Sequence, residues 1–383
     1  MGLRGINVMH HLTLAMIVKN ESSNIERCLS SVADYIDYYV ICDTGSTDDT
    51  KEKIVNFFDL KGIKGEVHDH EWEDFGTNRT KALEQTYGKT KWALMIDADD
   101  SISGKLPIEK LSEEYDAYHV ILSKGSFKWY RTQIFNISKK EWKYVEPLHE
   151  YPTCEGLSKI GTLEGEYSWD ARAEGCRARE SSSEQEKYIK DYWTLKSYLE
   201  KDPNQSRKQF YAAQSAFDGG MFKEAEEEYI KRIKLGDWIE EVFYSWFKIG
   251  QCRERLNRPL EQTIDAYMMA YETCPHRVEA LVSISRCYRE NNRPRSAYMA
   301  AIQGANVPYP KDLLFIEASD YLWRIHDEIA STAYYMNEWV IGARACEKLL
   351  RENHIPPIEK ERISNNYYLY KEALKEQHKL ANS

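Results

Sequence analysis

The pattern of hydrophobic and polar positions changes along the chain and predicts two kinds of architecture. Up to about residue 170, short apolar runs rich in β-forming residues alternate with segments whose apolar positions recur at helical spacing. The first such pair is the run 12–18 followed by a helix over 22–36, capped by Ser22 or Ser23. Strand and helix in this order predict a mostly parallel sheet with helices on both faces.

The same pattern gives the remaining elements of this first part. Further strands are predicted at 38–42, 65–70 and 92–96, further helices from Thr47 and over 75–87, and an antiparallel extension at 117–122, 129–137 and 142–151. The helix near Thr47 is expected to begin with Asp48 and Asp49 at its positive end. We therefore predict a Rossmann-like α/β domain.

From Tyr188 onward nearly every segment has a helical pattern. Turn-like sites recur at Gly220, Asn257, Asn292 and Asn337, in steps of 37, 35 and 45 residues, and each of the first three is followed by a helix rich in Ala and Tyr. A period near 34 residues built from paired helices is typical of tetratricopeptide-like repeats. The sequence thus predicts an α/β domain over 1–171, a flexible linker or active-site lid over 172–187, and an all-α repeat domain over 188–383.

Composition narrows the class of protein. With 42% hydrophobic residues the chain can build real cores, and a net charge of −10 argues against a general nucleic-acid or anionic-membrane surface. The eight cysteines never stand two residues apart and are interpreted as reduced core thiols. The early apolar run 12–18 is too short for a membrane span. We expect a cytoplasmic protein without a membrane span or nucleic-acid partner.

Candidate chemistry lies at the ends of the predicted strands. Asp43 ends one strand, and Asp97 and Asp99 follow another, where alternate residues of an extended segment share a face. In open α/β sheets ligands bind at the carboxyl ends of the strands, and paired carboxylates suit Mg²⁺ or Mn²⁺. If Asp97 and Asp99 were the only acidic residues at a strand end, a solvated turn would explain them. Asp43 ends a second strand, and two acidic strand ends favour a ligand- or metal-binding site.

Four segments, in order, resemble the signature of family-two glycosyltransferases. They are residues 15–21 (AMIVKNE), 42–50 (CDTGSTDDT), 74–79 (DFGTNR) and 96–99 (IDAD). His149-Glu150 resembles the His-Glu of a subgroup that carries helical repeats behind the catalytic domain, such as bacterial peptide S-glycosyltransferases. The resemblance implies a GT-A fold, a nucleoside-diphosphate sugar donor, usually UDP-linked, and inversion at the anomeric carbon.

Carried over position by position, the resemblance also implies roles for single residues. Val18, Asn20 and Glu21 would line the base and ribose pocket, Asp43 would hydrogen-bond the base, Asn78 and Arg79 would approach the ribose or diphosphate, Asp97 would touch the ribose or the metal, and Asp99 would bind the metal directly. Without the resemblance, Asn78-Arg79 is equally an exposed helix face. Asn20-Glu21 is equally a capping segment, a role compatible with ligand binding.

The catalytic base and a mobile lid are the remaining candidates. Glu150 is the candidate base, and His149 a metal ligand or substrate-positioning group; the alternative is a polar rim beside two prolines. Arg172, Arg177 and Arg179 lie in the 172–187 segment, which would close over the donor or serve as an ordinary linker.

Partners follow from this interpretation. We expect a nucleotide-sugar donor and a protein, peptide or glycan acceptor, with the repeats presenting a concave face to the acceptor or forming a homodimer. Trp129 and Tyr130 would stack on a sugar or pack in a core.

The competing hypothesis is a non-catalytic repeat scaffold with a relic nucleotide-binding domain. A nucleotidyltransferase is disfavoured because 17–23 holds no glycine.

Overall fold

The computed structural model describes residues 12–124, 127–172, 174–179, 183–352 and 354–381. Contacts within the chain divide it into two units, up to Lys187 and from Tyr188 onward. The first is an α/β unit and the second is built of helices, which confirms the predicted fold class.

The first unit is organised around one mixed sheet. Its strands are β1 (Leu12–Val18), β2 (Tyr38–Asp43), β3 (Lys64–Asp69), β4 (Trp92–Met95), β5 (Ser101–Gly104), β6 (Ala117–Lys124), β7 (Phe127–Asn136), β10 (Ile160–Thr162) and β11 (Tyr167–Asp170), and a separate hairpin holds β8 (Trp142–Val145) and β9 (Tyr151–Cys154). The sheet order is β3-β2-β1-β4-β7-β6-β11-β5, with β10 beside β6. The half from β3 to β4 is parallel, whereas β7 runs antiparallel to β4 and β6, as the predicted extension requires.

Its helices are α1 (Ile25–Val32), α2 (Thr50–Lys61), α3 (Phe75–Glu84) and α4 (Cys176–Arg179). The central strand β1 is buried on both faces, as its unbroken apolar run predicts. Leu14, Leu94 and Phe58 are among the fully buried side chains that form the core.

Several predicted bounds are wrong. The first helix begins after Asn24, so neither Ser22 nor Ser23 caps it. Asp48 and Asp49 precede α2 instead of lying in its first turn, and the carboxylate of Asp48 accepts from the N–H of Thr50. The predicted strand 142–151 is the two strands of the separate hairpin, because residues 146–150 form the turn between them.

The predicted flexible segment 172–187 contains ordered elements. It includes α4 and the start of α5 (Glu184–Lys201), while Ser181 and Ser182 and the side chain of Arg177 lie outside the described residues.

The second unit consists of helical hairpins. Its helices after α5 are α6 (Ser206–Asp218), α7 (Phe222–Leu235), α8 (Ile239–Arg255), α9 (Leu260–Thr273), α10 (Glu279–Glu290), α11 (Pro294–Gly304), α12 (Ile325–Thr332), α13 (Trp339–Glu352) and α14 (Lys360–Ala381). The turn residues that marked the repeats all have left-handed backbones: φ is +74° at Gly220, +51° at Asn257, +55° at Asn292 and +58° at Asn337. Glycine and asparagine tolerate this conformation best, which is why they mark the repeat in the sequence.

Two further expectations concern the whole chain. All eight cysteines are thiols, and six of them are buried, as expected of core residues. Across the described ranges, we find no helix that combines the length and the apolar surface needed to cross a bilayer.

Candidate functional site

The candidate site lies where the parallel strands β1, β2 and β4 end. These strands are neighbours in the sheet, and Val18 pairs in register with Asp43. The segments that follow them therefore meet at one edge, where α/β sheets bind ligands. Val18 itself is buried, and its carbonyl oxygen accepts from the N–H of Thr44 at 2.9 Å, so its contribution is to join the two strand ends.

Asp43 is buried, and only one of its two carboxylate oxygens has hydrogen-bond partners among the residues that the structure describes. Its Oδ1 accepts from the N–H groups of Gly45 (2.9 Å) and Ser46 (2.7 Å) in the turn after β2. Its Oδ2 is buried and has no hydrogen-bond partner within the described part of the chain. Because a buried carboxylate oxygen without a donor is costly, Asp43 presents a strong acceptor for an external N–H.

Asn20 and Glu21 bind other parts of the protein across this edge. Asn20 has a left-handed backbone (φ +52°), and its Oδ1 accepts from the N–H of Thr47 at 2.7 Å. The buried carboxylate of Glu21 accepts from the side chain of Asn24 (2.9 Å) and the N–H of Cys176 (2.6 Å). Neither side chain caps α1, whose N-cap is Asn24; both instead join the end of β1 to the neighbouring loops.

Asp97 and Asp99 differ from the prediction in their backbone. The strand ends at Met95, and residues 97–100 form a turn closed by the Asp100 N–H and the Asp97 carbonyl (3.0 Å), so the predicted extended segment is wrong. The carboxylates nevertheless lie close together. Burial and then the charge of Asp97 raise the pKa of Asp99.

Asp97 is controlled by two arginines. Its Oδ1 pairs with Arg79 at 2.5 Å and its Oδ2 with Arg131 at 3.4 Å. Burial disfavours the charged form, but the charges of Arg79 and Arg131 outweigh it and lower the pKa of Asp97. The carboxylate is therefore ionised at neutral pH.

Arg79 connects Asp97 to Glu150. The guanidinium is 6% exposed, which excludes the exposed-face interpretation, and its Nε donates to Glu150 Oε1 at 2.8 Å. One buried cation thus holds both the first aspartate of the turn and the candidate base. The adjacent His149 is exposed, with a left-handed backbone (φ +57°) in the turn of the separate hairpin.

One predicted contact differs in the structure. Asn78 is fully buried, and its amide binds the carbonyl of Glu71 (3.0 Å) and the N–H of Glu73 (2.9 Å), so it braces the loop before α3. Among the ranges that the structure describes, no three His, Cys, Asp or Glu side chains converge in a metal-binding arrangement.

Part of the predicted lid contacts the site. Asp99 Oδ2 accepts from the N–H groups of Glu174 (3.0 Å) and Gly175 (2.8 Å). Arg179 donates to the Asn20 carbonyl and lies 3.3 Å from Glu21 Oε2. Arg172 pairs with Asp170 instead (2.7 Å).

Sequence reasoning missed three participants. Arg27, in the first turn of α1, donates to the Asp99 carbonyl at 2.9 Å, and Arg131 contacts Asp97 from β7. The buried Asp100 accepts from Trp169 Nε1 at 2.9 Å, and burial followed by the charge of Asp97 raises the pKa of Asp100 to about 8. A charged residue inside a predicted helix or strand, such as Arg27 or Arg131, was the sequence signal that could have indicated these contacts.

The two aromatic candidates for sugar stacking differ in burial: Tyr130 is exposed, whereas Trp129 packs partly against the core.

Fold and site together define an α/β unit with a carboxylate- and arginine-rich edge at the ends of its parallel strands. Comparison with known proteins agrees: residues 13–168 match the family described as Glycosyl transferase family 2. The first unit is therefore a glycosyltransferase family 2 domain of GT-A-like fold, which confirms the resemblance seen in the sequence, and it is followed by helical-hairpin repeats.

Individual relatives cover different parts of the chain. A TPR repeat-containing protein of Synechococcus elongatus is 24% identical over 77% of this chain and 75% of its own length. The SPbeta prophage-derived glycosyltransferase SunS of Bacillus subtilis is 39% identical over 24% of this chain, but the match spans only 21% of that protein. Among solved structures, S. aureus TarS 1-349 in complex with UDP-GlcNAc aligns with 80% of this chain and 99% of its own at 14% identity and a TM-score of 0.36.

Proposed function

We propose that this chain transfers a hexosyl group from a UDP-linked sugar to an acceptor, with inversion at the anomeric carbon and the help of a divalent cation. The observation that carries the proposal is the meeting of Glu21, Asp43, Asp97 and Asp99 at the ends of three adjacent parallel strands in a family 2 domain. The choice of uracil as the nucleobase is supported by Asp43, because its Oδ2 has no hydrogen-bond donor in the described ranges and could accept from the ring N–H of uracil.

The residues present fit a divalent cation. Asp97 and Asp99 are close enough for one charge to raise the pKa of the other, a repulsion that a cation relieves. Mn²⁺ or Mg²⁺ would be held by these two carboxylates, with diphosphate oxygens and water completing its shell. When bound, it supplies Lewis-acid neutralisation of the departing diphosphate.

The chain's own residues account for the remaining requirements. Arg79 and Arg131 add positive charge beside the diphosphate, and Asn20 and Glu21 border the nucleoside. An acceptor nucleophile bonds to the anomeric carbon as the bond to the diphosphate oxygen breaks, and its proton passes to Glu150. Arg79 orients this carboxylate through its 2.8 Å contact. His149 is exposed next to Glu150 and would position the acceptor.

A thermal-shift screen of UDP-, GDP- and dTDP-sugars, with Mn²⁺ and with chelator, tests the proposal. A UDP-sugar at a hundred times its Kd stabilises the first unit by about 2.7 kcal/mol. Asp99→Ala removes the Mn²⁺-dependent part of the shift, whereas Asp34→Ala, at an exposed aspartate in the same unit, retains it. If no nucleotide sugar shifts melting in either condition, the relic-scaffold alternative is favoured.

A further inference from the structure

The last repeat step in the sequence is longer than the others, 45 residues against 37 and 35. In the structure the additional residues lie between the end of α11 at Gly304 and a π-helical turn, Asp320–Arg324. We call residues 305–319 the connector. Its central part extends back along the second unit to α6 and α8, where it contacts four side chains that we call the connector groove: Phe210, Glu240, Tyr244 and Arg277.

The side chain of Arg277 binds mainly the main chain of the connector. The guanidinium is 1% exposed and donates to the carbonyl oxygens of Leu314 (3.2 Å) and Phe315 (3.0 Å). It also pairs with the carboxylate of Asp312 at 3.2 Å. A bidentate contact with Glu279, from Nη2 to Oε1 at 2.7 Å and from Nε to Oε2 at 3.1 Å, fixes the orientation of the guanidinium.

Glu240 completes the main-chain recognition. Its Oε2 accepts from the N–H groups of Leu313 (2.9 Å) and Leu314 (2.7 Å). Arg277 and Glu240 therefore bind both the donors and the acceptors of one short stretch of main chain, which bends at Leu313 and Leu314. Such contacts use main-chain atoms that every peptide offers, so they provide affinity that does not depend on the peptide's side chains.

Side chains supply the specificity. The ring of Phe315 lies 5.0 Å from Tyr244 and 6.4 Å from Phe210, and Leu314 is buried. Phe315 has a φ of +38°, a conformation that a bulky residue adopts only when its surroundings impose it. The connector is thus held under strain, and an occupant without that strain has an advantage.

We propose that the connector is a built-in ligand of a peptide-binding groove, and that a peptide of the same chemistry binds in its place. Such a peptide has a Leu-Phe pair with an acidic residue before it and one residue between, as Asp312 precedes Leu314 and Phe315. An emptied groove would leave Arg277 with Glu279 but without Asp312 and the two carbonyl oxygens, and Glu240 without the two N–H groups that it accepts from, so an occupant that supplies the same groups displaces the connector most efficiently. The proposal does not depend on the glycosyl transfer proposed above.

The test measures binding of a fluorescent peptide with the sequence of residues 309–318 to the full chain by anisotropy. A groove that is free less than a tenth of the time weakens binding about tenfold or more. The double substitution Leu314→Ser with Phe315→Ser therefore tightens peptide binding by at least about tenfold. Leu313→Ser is the matched control, because this adjacent leucine is 81% exposed, and it leaves binding at the wild-type level. Adding Glu240→Ala to the double variant abolishes the gain.

Amide hydrogen exchange of the wild-type chain keeps the proposal testable if the double variant misfolds. Saturating peptide accelerates exchange at Leu313 and Leu314, whose N–H groups leave Glu240, and a scrambled peptide has no effect. The proposal is overturned if a folded double variant binds the peptide no better than wild type, if Glu240→Ala retains the gain, or if these two amides keep their protection at saturating peptide.

Discussion

Single residues at the candidate site differ most in whether their charges are already balanced. Arg79 is buried and lies between two carboxylates, at 2.5 Å from Asp97 and 2.8 Å from Glu150. Burial alone would lower its pKa, but these two charges raise the pKa of Arg79, so it remains a cation. Asp43 is the opposite case, because one of its buried carboxylate oxygens has no hydrogen-bond donor within the described part of the chain.

The balance at Arg79 predicts an effect on stability. Arg79→Met leaves Asp97 and Glu150 half-buried without their cation, and breaking such a pair costs about 3–5 kcal/mol of unfolding free energy. Arg131→Met is the matched comparison: the Arg131 side chain is 41% exposed and 3.4 Å from Asp97, so this substitution should cost less than about 1 kcal/mol. Urea unfolding of both variants measures the difference, and equal losses would show that Arg79 is not the central cation.

The unsatisfied oxygen of Asp43 predicts an effect on binding. Asp43→Asn replaces a charged acceptor by an amide, and UDP affinity should fall about ten- to a hundredfold, as expected for a hydrogen bond to a charged group. Asp69→Asn is the control: Asp69 occupies the register-matched end of β3 but is exposed. Calorimetric titration with UDP checks both variants. If Asp43→Asn binds UDP as tightly as the wild-type chain, the uracil ring does not bind at Asp43.

At the scale of elements, the sequence predicted the strands that position the site, but not the turns. Unbroken apolar runs and helical spacing identified β1, β2, β4 and α3, because burial determines both the pattern and the structure. The turn at 97–100 also contacts Arg27 and Gly175, and the separate hairpin at 142–154 contacts Thr80 and Tyr87 of the first unit. Local sequence patterns do not record such long-range contacts. The burial of Arg79 was undecidable for the same reason, since its two partners lie 18 and 71 residues away.

The junction between α3 and the hairpin turn explains a glycine in the DFG segment. A Cβ at Gly76 would collide with the carbonyl oxygen of Glu146, so the helix can approach the turn that carries His149 and Glu150 only without a side chain here. The neighbouring Phe75 N–H donates to the Pro147 carbonyl at 3.3 Å, which fastens the same junction.

This junction predicts that Gly76→Ala impairs the site while leaving the fold. The turn must move away from α3, which separates Glu150 from Arg79, and a displacement of about 1 Å at a catalytic group costs roughly a hundredfold in rate. We expect kcat for donor turnover to fall by that order with little change in UDP affinity. Thr77→Ala, one position further along α3, serves as control. A loss confined to UDP affinity would contradict the positioning role.

At the scale of the whole chain, the hydrophobic period changes near Lys187, where contacts within the chain divide it into two units, and this change is the signal on which the predicted division rests. Alternating strands and helices give way to hairpins whose left-handed Gly and Asn turns recur at nearly constant spacing. The exception in that spacing, the 45-residue step, corresponds to the connector. Its path along α6 and α8 follows from the long-range contacts of Arg277 and Glu240, and no local pattern predicts them.

Because each unit has its own hydrophobic core, we expect two separable melting transitions. Leu94 is fully buried in the first core and Leu349 almost fully buried in a core of the second. Each Leu→Ala substitution should cost about 2–5 kcal/mol and lower one transition only, which assigns the two transitions in differential scanning calorimetry. UDP with Mn²⁺ should then raise the transition that Leu94→Ala lowers and leave the other in place. If the nucleotide instead raises the transition that Leu349→Ala lowers, the nucleotide site does not lie in the family 2 domain.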